Sequence, residues 1–337
     1  MTTPELVSSS FKSSDADWLD RRLILFTGKG GVGKSTVAAA TALLAASQGK
    51  KVLLVDNDST GNLAALFEHS EVGFTPTEIY PGISALQMET EASLREYLNL
   101  QLRLPLAGRV GPLANAFDFI AAAAPGVKEI LTMGKICWEV REALEGRAPW
   151  DIVIVDAAAT GHVVSQLDAP RAIRELVKVG PVANQTEWII KILSDPQLTE
   201  LHVVTTPEEM PISETIQLIK SLEDRVDVAL GNVIVNRVLP EPFNRNDSVV
   251  FESLKSDAAT EILHRNAGLG TDEVLAAAEL AVSLRRNQVS HIARLRAAVD
   301  LPLVYLPYLF VRDHGLRVTR VVAEALENEM STGARNG

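Results

Sequence analysis

Seven short apolar runs recur along the chain: Leu23 to Thr27, Val52 to Asp56, Ile83 to Met88, Ile152 to Asp156, Leu201 to Thr206, Val233 to Asn236 and Leu303 to Leu306. Several are unbroken Val, Ile and Leu, the pattern of strands covered on both faces. Helical patterns separate them, beginning with the alanine-rich stretch Thr36 to Ser47. This alternation predicts an α/β fold with a doubly wound, mainly parallel sheet of about seven or eight strands. Two longer stretches, Glu91 to Glu145 and Asp257 to Val299, carry no strand signal and read as helical. The first lies between two sheet strands and predicts a helical insertion layer, not a separate domain. Residues 1–20 are rich in Ser, Thr and Asp and predict a flexible arm, and 327–337 predict a flexible tail. A single domain over 21–326 remains.

Composition narrows the classes of function. A net charge of −11 over 337 residues opposes a protein that grips nucleic acid through its overall field, so no nucleic-acid partner is expected. No apolar run reaches the roughly 18 residues of a membrane span, and the first residues lack an apolar signal core, so the expected location is cytoplasmic. The single cysteine, Cys137, excludes an intrachain disulfide and any site needing several cysteines from one chain. In "ILTMGKICWEV" it reads as a buried small apolar residue.

The densest chemistry follows the first apolar run, in "FTGKGGVGKST". Gly28 to Ser35 fit the P-loop pattern of a glycine, four residues of any type, then Gly33, Lys34 and Ser35. Glycines let the backbone turn sharply and approach a ligand, and the N–H groups opening the next helix face an anion. Gly28, Lys29, Gly30, Gly31, Val32, Gly33, Lys34, Ser35 and Thr36 are therefore candidate nucleotide-binding residues. Lys34 would bridge the β- and γ-phosphates of ATP, and the Ser35 hydroxyl would ligate Mg²⁺. The pattern makes no demand for Lys29. Ligands of open α/β sheets lie beyond the carboxyl ends of the strands, where "VLLVDNDSTGN" carries Asp56 and Asp58 and "DIVIVDAAATGH" carries Asp156. Beside a P-loop, these carboxylates face the metal or the attacking water.

These residues resemble the P-loop ATPases of the deviant Walker type. That group includes the ArsA and Get (anion-transporting) ATPases, the chromosome-partition and septum-site ATPases, and the nitrogenase iron protein. Their K-G-G-x-G-K-[ST] loop is matched by "KGGVGKST". The resemblance implies that Lys29 crosses a dimer interface to the phosphates bound by a second ATPase chain. That chain is a second copy or a paralogue. It also implies that Asp58 positions the attacking water. "DAAATGHVV" is similar to the second switch of ArsA and Get proteins at Asp156, Ala158, Thr160, Gly161 and His162, with Ala157 and Ala159 replacing Thr and Pro. Asp156 would then hold Mg²⁺ through a water, and Thr160, Gly161 and His162 would form a moving segment. Likeness extends to "TTPEEMPISETIQLIKSLE" and to "VIVNRV", where it gives Asn236 an adenine contact.

The implied function is a dimeric Mg·ATP-hydrolysing switch coupled to a partner or a membrane-protein client. One cysteine is too few for a cysteine-rich metalloid pump, and the CxxC zinc motif of some targeting relatives is absent. "VDNDSTGN" is closer to the partition ATPases, so a positioning ATPase acting on a surface stays open. So does an electron carrier like the iron protein, for which one cysteine per chain is too few. Two apolar segments, "GPLANAFDFIAAAAPGVKEILTMGKI" and "VANQTEWIIKIL", could line a client groove or belong to the core.

Overall fold

In the computed structural model, residues 18–57, 63–93, 95–96, 126–267, 270–311 and 315–333 are described. After a short 3-10 turn, Trp18–Asp20, come β1 (Leu23–Gly28), α1 (Lys34–Ser47), β2 (Val52–Asp56), α2 (Leu63–Leu66), β3 (Thr77–Tyr80) and β4 (Ile83–Gln87). Then follow α3 (Val127–Leu144), β5 (Ile152–Ala159), α4 (Thr160–Leu176), α5 (Pro181–Ser194), β6 (Thr199–Thr205), α6 (Glu209–Arg225) and β7 (Leu230–Val238). The chain continues through α7 (Arg245–Leu254), α8 (Asp257–Ala267), α9 (Thr271–Ala298), β8 (Leu303–Pro307) and α10 (Leu316–Gly333).

The strands form one eight-stranded sheet in the order β3-β4-β2-β5-β1-β6-β7-β8. Every pairing is parallel except β3 with β4. Successive strand residues go to opposite faces, as the pleat requires. Ile24, Phe26, Leu54 and Ile154 meet α1 and α10 on one face. Leu25, Leu53, Val55, Val153 and Val155 meet α3, α4, α5 and α6 on the other. Both faces are apolar, so the strands read as continuous apolar runs, and the doubly wound expectation holds.

Several boundaries differ from the sequence reading. β3 was not anticipated. It is a four-residue antiparallel edge strand with only Ile79 buried, too short and too polar to stand out. The expected arm is shorter, because Trp18 and Leu19 are 5% and 0% exposed and Trp18 Nε1 donates to Met330 Sδ at 2.7 Å. The same contact falls in the expected tail, where α10 continues to Gly333. The stretch 257–299 is two helices, with Gly270 in the left-handed region (φ 98°) at the start of α9. Within the expected insertion, α3 is one 18-residue helix whose Met133, Ile136, Cys137 and Val140 are buried against the sheet. Residues 97–125 lie outside the described part. Burial pushes the Cys137 thiol well above its ordinary range, which suits a small core residue. "VANQTEWIIKIL" becomes α5, and its Ala183, Thr186, Ile189, Ile192 and Leu193 are buried.

A polar cluster sits in the core beneath the N-terminal half of the sheet. His202 on β6 is fully buried, stacked on Phe26 and edge-on to Trp18. Its Nδ1 accepts from the Asn232 backbone N–H at 2.9 Å, so the neutral ring carries its proton on Nε2. Glu200 lies 3.9 Å from that nitrogen and pairs with Arg21 at 3.1 Å. Burial, with a smaller contribution from Arg21, pushes the His202 pKa down to about 3. The folded state therefore refuses a proton that the unfolded chain takes up near pH 6.5, and stability falls as pH drops from about 6.5 towards 3. Glu200, raised by its own burial, works in the opposite direction. We expect His202 to cost about 2 kcal/mol at pH 5 relative to pH 7.5. His202→Asn keeps an acceptor but cannot titrate, so its unfolding free energy should vary less over that range. Identical pH slopes for the two proteins would refute the assignment.

Candidate functional site

Five adjacent strands bring the candidate residues to one edge. Asp56 of β2 is in register with Asp156 of β5, and Phe26 of β1 faces Asp156 from the other side. Gly28 pairs with Ala159 on β5 and with Val204 on β6, and Thr205 is in register with Val235, the residue before Asn236. The carboxyl ends of β2, β5, β1, β6 and β7 thus place Asp56, Asp156, the glycine-rich loop and Asn236 in sequence along one rim.

Two glycines of the loop between β1 and α1 leave no room for a side chain. A Cβ on Gly28 (φ 147°) would lie 2.0 Å from the Val204 carbonyl oxygen, and one on Gly33 (φ 97°) 2.4 Å from Asn236 Nδ2. At Gly30 and Gly31 a Cβ would meet nothing within 4 Å, so the loop's outer side is open. Asn236 Nδ2 donates to the Val32 carbonyl at 2.9 Å, while its Oδ1 accepts from the Arg237 N–H at 2.9 Å. Asn236 thereby buttresses the loop.

α1 begins at Lys34 with no side-chain cap and no carboxylate in its first turn. Its first N–H groups and the positive end of its dipole face the loop. Lys34 is only 6% exposed. Its Nζ makes one long bond, 3.5 Å, to the Lys29 carbonyl, and no carboxylate pairs with it among the described residues. A buried cation at a helix N-terminus is unfavourable by itself and becomes favourable when an anion arrives. Val32 is buried, Ser35 and Thr36 are half-buried, and Gly30 is exposed.

Lys29 does not project freely. Its Nζ pairs with Glu214 of α6, the two side chains being 27% and 35% exposed. Asp156 is 1% exposed, and its carbonyl accepts from the Asn57 N–H at 3.2 Å. Thr160, Gly161 and His162 form the first turn of α4, with His162 exposed. Thr27 Oγ1 donates to the Ala158 carbonyl at 2.9 Å, tying β1 to the root of that turn. Asn57 Nδ2 donates to Gln166 Oε1 at 3.1 Å, linking the end of β2 to α4. Asp58 lies outside the described residues.

Sequence reasoning missed Glu214, Gln166 and the buttressing bond of Asn236. Glu214 lies within "TTPEEMPISETIQLIKSLE", a stretch with no residue singled out, and its partner is 185 positions away.

The residues present suit a bound phosphate chain with its metal: a lined glycine cradle, an uncapped helix start, and one buried cation. No cluster of three or more His, Cys, Asp or Glu occurs among the described residues. Mg²⁺ beside a phosphate needs few protein ligands. Among the described residues no helix is long and apolar enough to cross a membrane.

Residues 21–186 and 174–265 match the family described as Anion-transporting ATPase. ATPase BagA of Mycobacterium tuberculosis is 34% identical over 307 residues, 88% of each chain. The arsenical pump-driving ATPase of Escherichia coli is 28% identical over 272 residues, 74% of this chain and 45% of that protein. An ATPase ASNA1 homolog of Entamoeba dispar is 25% identical over 252 residues, 63% of this chain and 75% of the relative.

Proposed function

Because this chain belongs to the anion-transporting ATPase family and is an ATPase, we propose that it works as a dimeric, Mg²⁺-dependent switch whose two nucleotides are enclosed between chains. The observation that carries this reading is the pair of lysines in one loop. Lys34 is buried at the start of α1 with no carboxylate paired to it among the described residues, and Lys29 stands at the open rim. In this reading Lys34 serves the phosphates of its own chain, and Lys29, turned to Glu214 of α6, serves a phosphate held by the second chain.

The backbone N–H groups of Gly30 to Thr36 and Lys34 hold the phosphates of this chain's ATP. Ser35 and Asp156 would hold Mg²⁺, which would supply positive charge against the phosphates. Asp58 orients the water that attacks the terminal phosphoryl group. Lys29 of the partner chain adds positive charge as phosphate charge redistributes in the transition state. Asn236 fixes the loop and reaches the adenine.

Opening and closing reach a client through the two switch segments. Asn57 and Gln166 already join the end of β2 to α4, so movement at one segment pulls on the other. A client that prefers one state of the dimer is captured or released as ATP turns over. Its chemistry is a membrane protein or membrane-associated partner, and the second chain is a copy or a paralogue.

Lys29→Ala should lower hydrolysis by about a hundredfold or more, as loss of a charge supplied in trans does. Mixed with Lys34→Ala chains, each inactive alone, it should recover activity at one of the two sites of every mixed dimer. Wild-type rates per site from Lys29→Ala by itself would end the trans reading.

A further inference from the structure

We propose that Glu214 is a latch that holds Lys29 in its own chain until a partner's nucleotide displaces it. The inference rests on the reading of Lys29 given above and adds the group against which that lysine's trans contact must compete.

The two halves of the latch differ in rigidity. α6 turns Pro211, Ile212, Thr215 and Leu218 into the core, which leaves Glu214 outward at a fixed position. The turn before it is pinned again, since Arg294 Nη2 of α9 donates to Ser213 Oγ at 3.0 Å. Lys29, in contrast, stands beside Gly30 and Gly31, where the loop faces open space. Its backbone is tethered by the long 3.5 Å bond from Lys34. The chain's own phosphates would draw Lys34 away and release that tether. The side chain would stay on Glu214 until a stronger anion is offered.

A carboxylate carries one negative charge, whereas the terminal phosphate of ATP with its neighbours carries more. The swap is therefore favoured by a phosphate chain on the partner, most by a triphosphate, and the latch raises the concentration at which chains pair without nucleotide. A half-exposed pair is worth about two- to five-fold in an equilibrium, and two latches open per dimer, so about four- to twenty-five-fold in the assembly constant.

The test is assembly of the full chain, followed by sedimentation at graded protein concentration with Mg²⁺ and a non-hydrolysable ATP analogue. Glu214→Gln should lower the half-assembly concentration by about four- to twenty-five-fold in low salt, and less in high salt, where the pair is screened. Glu214→Ala should act in the same direction, with melting curves showing both variants folded. An unchanged or raised half-assembly concentration overturns the latch. Lys29→Ala separates the two ideas. If it leaves analogue-driven assembly unaffected, the trans reading itself falls. If it weakens assembly while Glu214→Gln changes nothing, only the latch falls. In the Lys29→Ala background Glu214→Gln should have no further effect, and an added shift there would also overturn the latch.

Discussion

Lys34→Ala should cut ATP hydrolysis by about a hundredfold or more, the size seen when one preorganised charge partner of a transition state is removed. The same variant should melt no lower than the wild type without nucleotide. Its side chain is a cation 6% exposed, next to the positive end of α1 and lacking a carboxylate partner among the described residues. Removing it relieves a desolvation and dipole cost. The proposed site predicts that Mg·ATP raises the melting temperature of the wild type, and the variant should lose that rise, since ligand binding to the folded state alone produces it. This opposite pairing, unharmed stability with lost turnover, distinguishes a functional lysine from a structural one. Hydrolysis at the wild-type rate would remove the loop from the active site.

Gly28→Ala should have the largest effect on stability. The added carbon would sit 2.0 Å from the Val204 carbonyl oxygen, at a backbone φ of 147° that side chains avoid. β1 lies between β5 and β6 in the middle of the sheet, so neither neighbour can retreat without breaking its own ladder. Overpacking joined to backbone strain of this kind costs about 3–5 kcal/mol. On the order of 4–7 °C of melting temperature follows for a chain this long. Gly30→Ala, where a Cβ meets nothing within 4 Å, is the matched control and should melt within about 2 °C of wild type. Equal melting temperatures for the two variants would contradict the described approach of β1 to β6.

The central strands were legible because burial on both faces leaves unbroken apolar runs, and β2 was placed to the residue, Val52–Asp56. β3 was not, since an edge strand with one buried residue has no such signature. Trp18 was hidden in a Ser- and Asp-rich segment, where average composition masks a single anchoring ring. That the glycine-rich loop, Asp56 and Asp156 stand at strand ends was legible, because loop, strand-end carboxylates and helix start are each local in sequence. What bridges the rim was not. The bond from Asn236 to Val32 spans 204 positions and that from Lys29 to Glu214 spans 185. Contacts of that length follow from topology alone. The resemblance assigned Asn236 to adenine, and the fold adds a second duty, since its amide fills the place a Cβ on Gly33 would take.

The sheet order also sets when this site can come into being during synthesis. Residue 23 pairs with residue 153 on one side and residue 199 on the other, so the first strand made waits for two that emerge much later. Until β6 is in place the glycine loop has no wall, and until β7 follows it has no Asn236 beneath Val32. The earliest-synthesised motif is thus among the last to be assembled, in a topology whose distant contacts make folding slow. On the proposed assignment of this loop to the phosphates, nucleotide would bind only the finished cradle, so a nascent chain would gain nothing from it until most of its length has folded.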